Sequence, residues 1–267
     1  MSMDAMEEIP GLVKTKFFLR KPVGDTGDTE GGQIVLVHIE DPKTKGFSIA
    51  KKQCDLWEFV WGTSLLVASV IDRLDFQGLD VLEIGGGSGI CSLVACKKGA
   101  STVTMTDLVE DALKICKRSA QENGLTDCNR MSFVKYDWNK TETLKEEGHH
   151  IVIGSDVLFF RGSVNPVANT FFKALRPGGI GILGDPCRLN TDDFIAKLDD
   201  LGMAHKTYTF LPSIVHAGGD HGTDNPQKVK LIIVSKEGSP SRQHDNPVLS
   251  QFVAQLQQVL PGFVEPE

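Results

Sequence analysis

A glycine-rich segment after an apolar run is the part of this 267-residue chain best suited to bind a ligand. Residues 81–85 predict a buried strand, and the chain continues as Gly85-Gly86-Gly87-Ser88-Gly89. Glycine there permits positive φ angles and a close approach of the backbone to a ligand. The next predicted strand, 102–107, ends at Asp107. That position, about 20 residues past the glycines, is where a βαβ unit presents a carboxylate to a ribose. Together they predict a nucleotide-like ligand.

The glycine spacing separates two classes of cofactor. The dinucleotide fingerprint G-x-G-x-x-G would require a glycine at position 90, where the chain has Ile90. The observed order is Glu83-x-Gly85-x-Gly87-x-Gly89, which resembles motif I of the class I S-adenosylmethionine methyltransferases. S-adenosylmethionine carries no phosphate, and its methionine ammonium could meet Glu83 directly or through water. We therefore expect S-adenosylmethionine rather than NAD, the structural alternative being a glycine-rich turn without a ligand.

Two residues at the end of the third predicted strand, 131–138, are candidates for the adenine site. Trp138 and Asp137 lie at the edge where open α/β sheets bind ligands. A tryptophan ring can pack against an adenine while excluding water, and Asp137 could accept a hydrogen bond from the adenine amino group. Simple core packing of Trp138 is the alternative.

An acid after the fourth predicted strand, 151–157, is the candidate for handling an acceptor. A carboxylate at Asp156 could bind an ammonium group, align it and assist the loss of its proton. Phe159 and Phe160 would then wall the acceptor channel. A helix cap or loop acid is the structural alternative for Asp156.

Composition and charge argue against several classes of protein. The formal net charge of −7 argues against stable nucleic-acid binding. The six cysteines form no C-x-x-C pair, so we expect a reducing compartment and no metal site. The N-terminus lacks the apolar region of a secretory signal, and no apolar run approaches the ~20 residues of a membrane helix. We expect a monomer that is located in the cytoplasm and does not bind membranes, with the nucleus as the alternative location.

The order of apolar patterns predicts how these residues are positioned. A hairpin over 12–20 and 33–40 precedes a helix over 55–73, and the chain ends with a second hairpin and an appended helix. Between them strands alternate with helices, and Asn190 or Thr191 is the predicted cap of the helix over 191–201. The predicted strands are 81–85, 102–107, 131–138, 151–157, 180–184, 205–211 and 229–236, and the helices are 90–98, 110–123, 164–175, 191–201 and 247–260.

This order is typical of an α/β fold with a Rossmann-like, doubly wound seven-stranded sheet. Five βα units followed by an antiparallel hairpin would not be expected in a dinucleotide dehydrogenase. We expect an N-terminal extension with the hairpin over 1–54, the main domain over 55–236, and a linker with the last helix over 237–267.

From about residue 56 to 236 the chain resembles the seven-β-strand protein methyltransferases that include lysine-modifying enzymes. The matching positions are Trp61, the glycines from Gly85 to Gly87, Asp107, Trp138 and the segment Ser155-Asp156-Val157-Leu158-Phe159. Gly184-Asp185-Pro186-Cys187-Arg188 resembles the Gly-Asp-Pro-Gly-Arg of the electron-transfer-flavoprotein lysine methyltransferase branch. Cys187 replaces the second glycine of that segment.

The resemblance implies an enzyme that transfers a methyl group from S-adenosylmethionine to a protein side-chain nitrogen, with lysine the expected acceptor. It implies that Trp61, Ser155 and Gly89 belong to the cofactor site, and that Asp185 lines the substrate channel beside the phenylalanines. Asp185 and Arg188 could instead pair or shape their loop. A small-molecule N-methyltransferase of the same fold and a non-catalytic binding module both stay open.

Overall fold

A computed structural model of the chain describes residues 12–19, 32–39, 55–125, 130–141, 144, 146–210, 228–236 and 247–263. The strands are β1 (Leu12–Phe18), β2 (Gln33–Ile39), β3 (Asp80–Ile84), β4 (Thr102–Asp107), β5 (Met131–Lys135), β6 (His149–Ser155), β7 (Leu175–Asp185), β8 (Ala204–Phe210) and β9 (Val229–Ser235). The α-helices are α1 (Gly62–Ile71), α2 (Ile90–Lys97), α3 (Glu110–Glu122), α4 (Val164–Ala174), α5 (Asn190–Asp200) and α6 (Pro247–Val259).

Seven strands form the central sheet in the order β5-β4-β3-β6-β7-β9-β8. The first five are parallel, and β9 runs antiparallel to both β7 and β8. This confirms the predicted Rossmann-like sheet with its C-terminal hairpin. The strand order reverses between β3 and β6, and the carboxyl ends of strands at such a reversal form the crevice where α/β sheets bind ligands.

Helices cover both faces of the sheet because the central strands are apolar on both sides. Val81, Ile151 and Ile182 pack into a buried cluster with α1, α2, α3 and α6. Their chain neighbours Leu82, Val152 and Leu183 point to the opposite face and pack with α4 and α5. In the sequence these strands are continuous apolar runs, which is typical of parallel strands buried on both faces.

The N-terminal hairpin forms its own two-stranded sheet, as predicted, and it is fixed to α3. The side-chain amide of Asn123 accepts a hydrogen bond from Val35 N at 3.1 Å and donates one to Val35 O at 2.7 Å. Ser119 Oγ accepts a hydrogen bond from Val37 N at 2.8 Å. Polar side chains of a helix therefore satisfy the free edge of β2, much as a neighbouring strand would.

The last helix also packs against the main domain. In α6, Phe252 is fully buried, and its ring centroid lies 5.0 Å from that of Phe76. The hairpin and α6 therefore share the buried cluster of the first sheet face. The predicted boundaries at 54/55 and 236/237 stay predictions.

Three predicted elements differ from the structure. The helix predicted over 55–73 is divided into a 3-10 helix (Asp55–Glu58) and α1, because the Trp61 backbone is extended with ψ 141°. The third strand ends at Lys135, since the chain then turns through Asp137. Residues 176–179, which separate the predicted helix 164–175 from the predicted strand 180–184, belong to β7, whose first residue pairs with His149 across a register shift.

The start of α5 also differs. Leu189 precedes the helix without a side-chain cap, and Thr191 Oγ1 instead bonds Asp185. The predicted loop over 212–228 lies, apart from residue 228, outside the described residues.

Candidate active site

The glycine loop after β3 turns through a series of left-handed conformations. The φ angles are 58° at Gly85, 50° at Gly87 and 70° at Gly89, a region that residues with a Cβ rarely adopt. At Gly86 the φ is ordinary, but an added Cβ would lie 2.9 Å from Met105 Cε. Different constraints therefore require glycine at these four positions, and α2 begins directly after the loop.

Glu83 lies behind the glycine loop, with a relative exposure of 1%. Its Oε2 accepts a hydrogen bond of 2.9 Å from Ser92 N in the first turn of α2. Burial raises the pKa of the Glu83 carboxyl to about 7, and Asp107 contributes in the same direction. The structure therefore gives Glu83 a contact with α2, and a direct contact with a cofactor ammonium is not what this buried position favours.

Asp107 reaches the same loop from the end of β4. Its Oδ2 accepts a hydrogen bond of 2.9 Å from Gly87 N, and its Oδ1 accepts one of 2.9 Å from Val109 N. Burial raises the pKa of this carboxyl, although the backbone hydrogen bonds oppose the shift. The structure thus brings together Asp107 and the glycines, as the sequence predicted from their spacing.

Trp138 packs against the start of the glycine loop. A Cβ added at Gly85 would lie 3.0 Å from the Trp138 ring and 2.9 Å from Val157 Cγ1. The Trp138 ring centroid lies 6.2 Å from that of Phe159. Asp137 is partly exposed, and hydrogen bonds from Asn139 hold the pKa of its carboxyl below its ordinary value. Trp138 therefore connects the glycine loop with the segment after β6.

The 3-10 helix before α1 also lies against the glycine loop, and the sequence analysis did not assign it to the site. The 3-10 helix places Trp57 so that a Cβ on Gly87 would lie 3.7 Å from Trp57 Cα. Trp61 donates a hydrogen bond of 2.9 Å from Nε1 to Leu56 O, and its ring lies 5.4 Å from that of Phe59. These contacts connect Trp61 with the 3-10 helix, and its predicted contact with the cofactor stays a prediction.

The segment after β6 carries the acceptor candidates. Ser155 pairs with Gly184 of β7, and its hydroxyl is buried without a hydrogen bond in the described structure. Asp156 adopts φ 59°, and its N–H donates to Gly184 O at 2.8 Å. The rings of Phe159 and Phe160 lie 5.1 Å apart, and Phe160 is exposed. The carboxyl end of β6 therefore has a fixed, left-handed turn beside β7.

The carboxylate of Asp156 pairs with Arg188, a contact that the sequence did not predict. Arg188 Nε donates to Asp156 Oδ1 at 3.0 Å, and Arg188 Nη2 donates to the same oxygen. Burial raises the pKa of Asp156, and the guanidinium opposes that shift. No local pattern could reveal this pair, because the two residues follow different strands, β6 and β7.

Asp185, which the resemblance placed beside the substrate channel, is buried in the loop before α5. Its side chain has no solvent exposure, and Oδ1 accepts hydrogen bonds from Arg188 N at 2.7 Å and from Thr191 Oγ1. These contacts fit a role in shaping the loop, which is the alternative that the sequence left open. The predicted place of Asp185 in the substrate channel stays a prediction.

In the described part of the chain, no helix is long and apolar enough to cross a bilayer. No group of three or more histidines, cysteines or acids there has the arrangement of a metal site.

A family model described as "Lysine methyltransferase" matches residues 48–186. A ribosomal protein L11 methyltransferase from Sorangium cellulosum is 28% identical over 160 residues, covering 59% of this chain and 48% of that protein. Methyltransferase-like protein 22 from Mus musculus is 38% identical over 140 residues, covering 45% of this chain and 35% of that protein. The chain thus spans about half, or less, of the length of these relatives.

Solved structures show a similar fold. A putative S-adenosylmethionine-dependent methyltransferase from Listeria monocytogenes superposes with a TM-score of 0.51 at 14% identity, covering 66% of this chain and 99% of that one. TrmN from Thermus thermophilus gives a TM-score of 0.51 at 18% identity, covering 65% of this chain and 48% of that one. At such identities the likeness concerns the fold.

Proposed function

The chain belongs to the lysine methyltransferase family, and we propose that it transfers a methyl group from S-adenosylmethionine to a lysine side chain of a protein. One observation carries the proposal. Ile84 pairs with Gly154 in the parallel register of β3 and β6, so the glycine loop and Ser155-Asp156 leave the sheet side by side. We call residues 83–89 with Asp107, Asp137, Trp138 and Ser155 the donor side, and residues 156–160 with 185–191 the acceptor side.

The donor side fits S-adenosylmethionine better than a dinucleotide. A dinucleotide places its pyrophosphate on the helix N-terminus. In this chain a carboxylate of the protein itself, Glu83, occupies the Ser92 amide in the first turn of α2. That amide is therefore not free to bind a pyrophosphate, whereas a cofactor without phosphate does not need it. The buried Ser155 hydroxyl has no partner in the described structure and could donate a hydrogen bond to such a cofactor.

Each donor-side residue would hold a different part of the cofactor. Asp107 would accept hydrogen bonds from ribose hydroxyls, and the Trp138 ring would pack against the adenine beside Asp137. Gly85 and Gly87 would let the backbone approach, and Glu83 would act through the loop conformation. When bound, S-adenosylmethionine supplies an electrophilic methyl group on a sulfonium centre.

The acceptor side would bind the lysine as a cation and present it as a neutral amine. A lysine has a solution pKa of about 10.4, so deprotonating it at pH 7.4 costs roughly 4 kcal/mol. The Asp156 carboxylate would bind the ammonium, align it and assist the loss of its proton, while Phe159 and Phe160 exclude water. Relatives named for a ribosomal protein support a protein as the acceptor class.

Two experiments test the proposal in order. Thermal unfolding of the full chain with saturating S-adenosylmethionine, S-adenosylhomocysteine or NAD should show a higher midpoint with the first two. Stabilisation by NAD alone would contradict the cofactor assignment. Labelled S-adenosylmethionine is then added with the protein to a whole-cell lysate, followed by mass spectrometry, with Asp156→Asn as the matched control.

The site of label decides between the candidate functions. Label on lysine residues of protein bands, absent with the control variant, supports the proposal. Label in small metabolites would favour the N-methyltransferase alternative, and cofactor binding without any transfer would favour a binding module. The monomeric state, the cytoplasmic location and the lack of nucleic-acid binding remain predictions from the sequence.

A further inference from the structure

Arg188 connects the two carboxylates of the acceptor side. Its side chain donates to Asp156 Oδ1, through Nε at 3.0 Å and through Nη2. Its backbone N donates to Asp185 Oδ1 at 2.7 Å. The two carboxylates follow adjacent strands, so Arg188 links the segments that come after β6 and β7. Asn190 Nδ2 adds a hydrogen bond of 2.9 Å to Leu158 O on the same two segments.

Each carboxylate keeps one oxygen without a hydrogen bond in the described structure. On Asp156 both donated hydrogen bonds reach Oδ1, which leaves Oδ2. On Asp185 the buried Oδ2 has no hydrogen-bond partner, and Arg188 Nε lies 3.9 Å away. Buried carboxylate oxygens are usually hydrogen-bonded, so the buried Asp185 Oδ2 beside a guanidinium is unusual. The cluster can therefore accept further donors.

The charges of the cluster do not balance. Two ionised carboxylates face one guanidinium, which leaves one net negative charge. The side chains of Asp156 and Asp185 are 7% and 0% exposed, whereas that of Arg188 is 32% exposed. The neighbouring cations Lys230 and Arg161 pair with Asp192 and Asp193 in α5, and Lys228, whose charge acts on the adjacent Cys187, is exposed directly before β9. An unbalanced buried charge is costly, so one added ammonium group would be stabilised there.

We propose that Arg188 is a positioning residue for the methyl acceptor: it holds Asp156 by one carboxylate oxygen and so directs the other oxygen to the acceptor ammonium. The inference rests on the proposed function and deepens it, because it names the residue that orients the acceptor-binding carboxylate. The backbone N–H of Arg188 already bonds Asp185, so a residue that only stabilised the loop would not need a guanidinium on Asp156.

The guanidinium also acts on the ionisation of Asp156. Burial and the charge of Asp185 raise the pKa of Asp156, and Arg188 is the group that lowers it. Without Arg188, Asp156 would become protonated at a higher pH and could no longer bind a cation. The orientation and the ionisation of Asp156 therefore both depend on the Arg188 side chain, and each can be measured separately.

The experiment compares Arg188→Met with Arg188→Lys and with a matched control, Arg161→Met. Arg161 lies near the same loop, is 84% exposed and pairs with Asp193 at 3.2 Å. For Arg188→Met we expect kcat/KM for the protein acceptor to fall about 100-fold, the scale of a misplaced catalytic group. The acidic limb of its pH–rate profile should move to higher pH, while its affinity for S-adenosylmethionine stays unchanged. Arg188→Lys should restore the position of the limb and part of kcat/KM, and Arg161→Met should behave as wild type.

Arg188→Met can also destabilise the fold, because it leaves two buried carboxylates unpaired. The double variant Arg188→Met/Asp156→Asn removes one of them, and it should unfold at a higher temperature than Arg188→Met. An NMR titration of the Asp156 side-chain carboxyl carbon in the cofactor-free protein gives a readout without activity. Its pKa should rise in Arg188→Met and not in Arg161→Met.

The outcomes separate this inference from the proposed function. An Arg188→Met enzyme with wild-type kcat/KM and an unmoved pH limb would overturn the role of Arg188 while leaving the methyltransferase proposal intact. If wild type transfers no methyl group to protein, the proposed function fails. The inference is then judged by binding of Nα-acetyl-lysine methylamide: shifts of the Asp156 carboxyl in wild type but not in Arg188→Met support it, and equal responses overturn it.

Discussion

The donor side and the acceptor side leave the same edge of the sheet, but different interactions stabilise them. The donor side depends on backbone conformation: three glycines adopt positive φ, and the Asp107 carboxylate accepts a hydrogen bond from the Gly87 amide of the loop. The acceptor side depends on side-chain electrostatics, with Arg188 between Asp156 and Asp185. A strained backbone is fixed by residue type at each position, whereas a buried charge cluster is fixed by residues from different strands.

This difference has a consequence for substitutions. On the donor side, adding a single methyl group can change the backbone, so the expected losses are in cofactor binding and folding. On the acceptor side, an isosteric change of charge preserves the backbone and alters the chemistry. Substitutions on the two sides should therefore separate binding from turnover.

The largest expected effect is that of Asp156→Asn on turnover. Asparagine tolerates the left-handed conformation found at φ 59° and matches aspartate in size, but it lacks the charge that would hold an ammonium. We expect single-turnover methylation with saturating cofactor to fall by about 10²–10⁴. Asp193→Asn, which alters an exposed acid paired with Arg161, serves as control. Activity within a few-fold of wild type, or a loss that follows thermal stability, would place acceptor binding elsewhere.

The second prediction compares Gly87→Val with Gly89→Val on the donor side. Both residues have positive φ, but a Cβ at Gly89 would lie 2.1 Å from Cys116 Sγ, and one at Gly87 has only ordinary contacts. Gly89→Val should lose roughly 3 kcal/mol or more of unfolding free energy, from overpacking in addition to strain. Gly87→Val should lose only about 1–2 kcal/mol and keep its fold while losing cofactor affinity.

Urea unfolding and calorimetry with S-adenosylmethionine measure the two effects separately. Equal destabilisation of both variants would show that the contact with Cys116 does not matter. Unchanged cofactor affinity in a folded Gly87→Val would contradict the assignment of the loop.

The third prediction concerns the pH dependence of stability through Glu83. Burial raises its pKa from 4.5 to about 7, so between these values the folded state retains a proton that the unfolded state has lost. The unfolding free energy should therefore fall as pH rises through this window, by about 3 kcal/mol for this group. Glu83→Gln removes the titration, and the difference between wild type and variant should follow this curve. A difference independent of pH from 4.5 to 8.5 would contradict the raised pKa.

The smallest expected effect is a gain of stability in Cys187→Gly. Cys187 has φ 58°, in the region that favours glycine, and it occupies the place of the glycine in the related Gly-Asp-Pro-Gly-Arg segment. Relief of strain, less the extra entropy of an unfolded glycine, should raise the unfolding free energy by about 0.5–1 kcal/mol. Denaturant unfolding beside Cys187→Ala, which keeps the Cβ, tests this. An equal gain in both variants would assign the effect to the thiol.

Much of the donor side could be predicted because its residues are local. The apolar run, the glycines and Asp107 form one βαβ unit, in which spacing along the chain fixes spacing in space. The fold could be predicted in the same way, because strands and helices have different apolar periodicities and the two strands of the final hairpin had no helical pattern between them. Two features could not be predicted: the break in the helix predicted over 55–73 and the start of β7. The break is a local change in ψ at Trp61, the start of β7 involves a register shift, and neither leaves a periodic pattern in the sequence.

The sequence by itself determined the order of elements, the glycine loop, the acid at the end of β4 and the acid after β6. Local backbone preferences and apolar periodicity are properties of short segments, so they are present before the chain folds. Only the tertiary structure decided that Glu83 lies behind the loop, that Asp185 is buried, and that Arg188 reaches Asp156. These contacts depend on which strands become neighbours and on how deeply each carboxylate is removed from water, and the charge of a buried group is set by that environment.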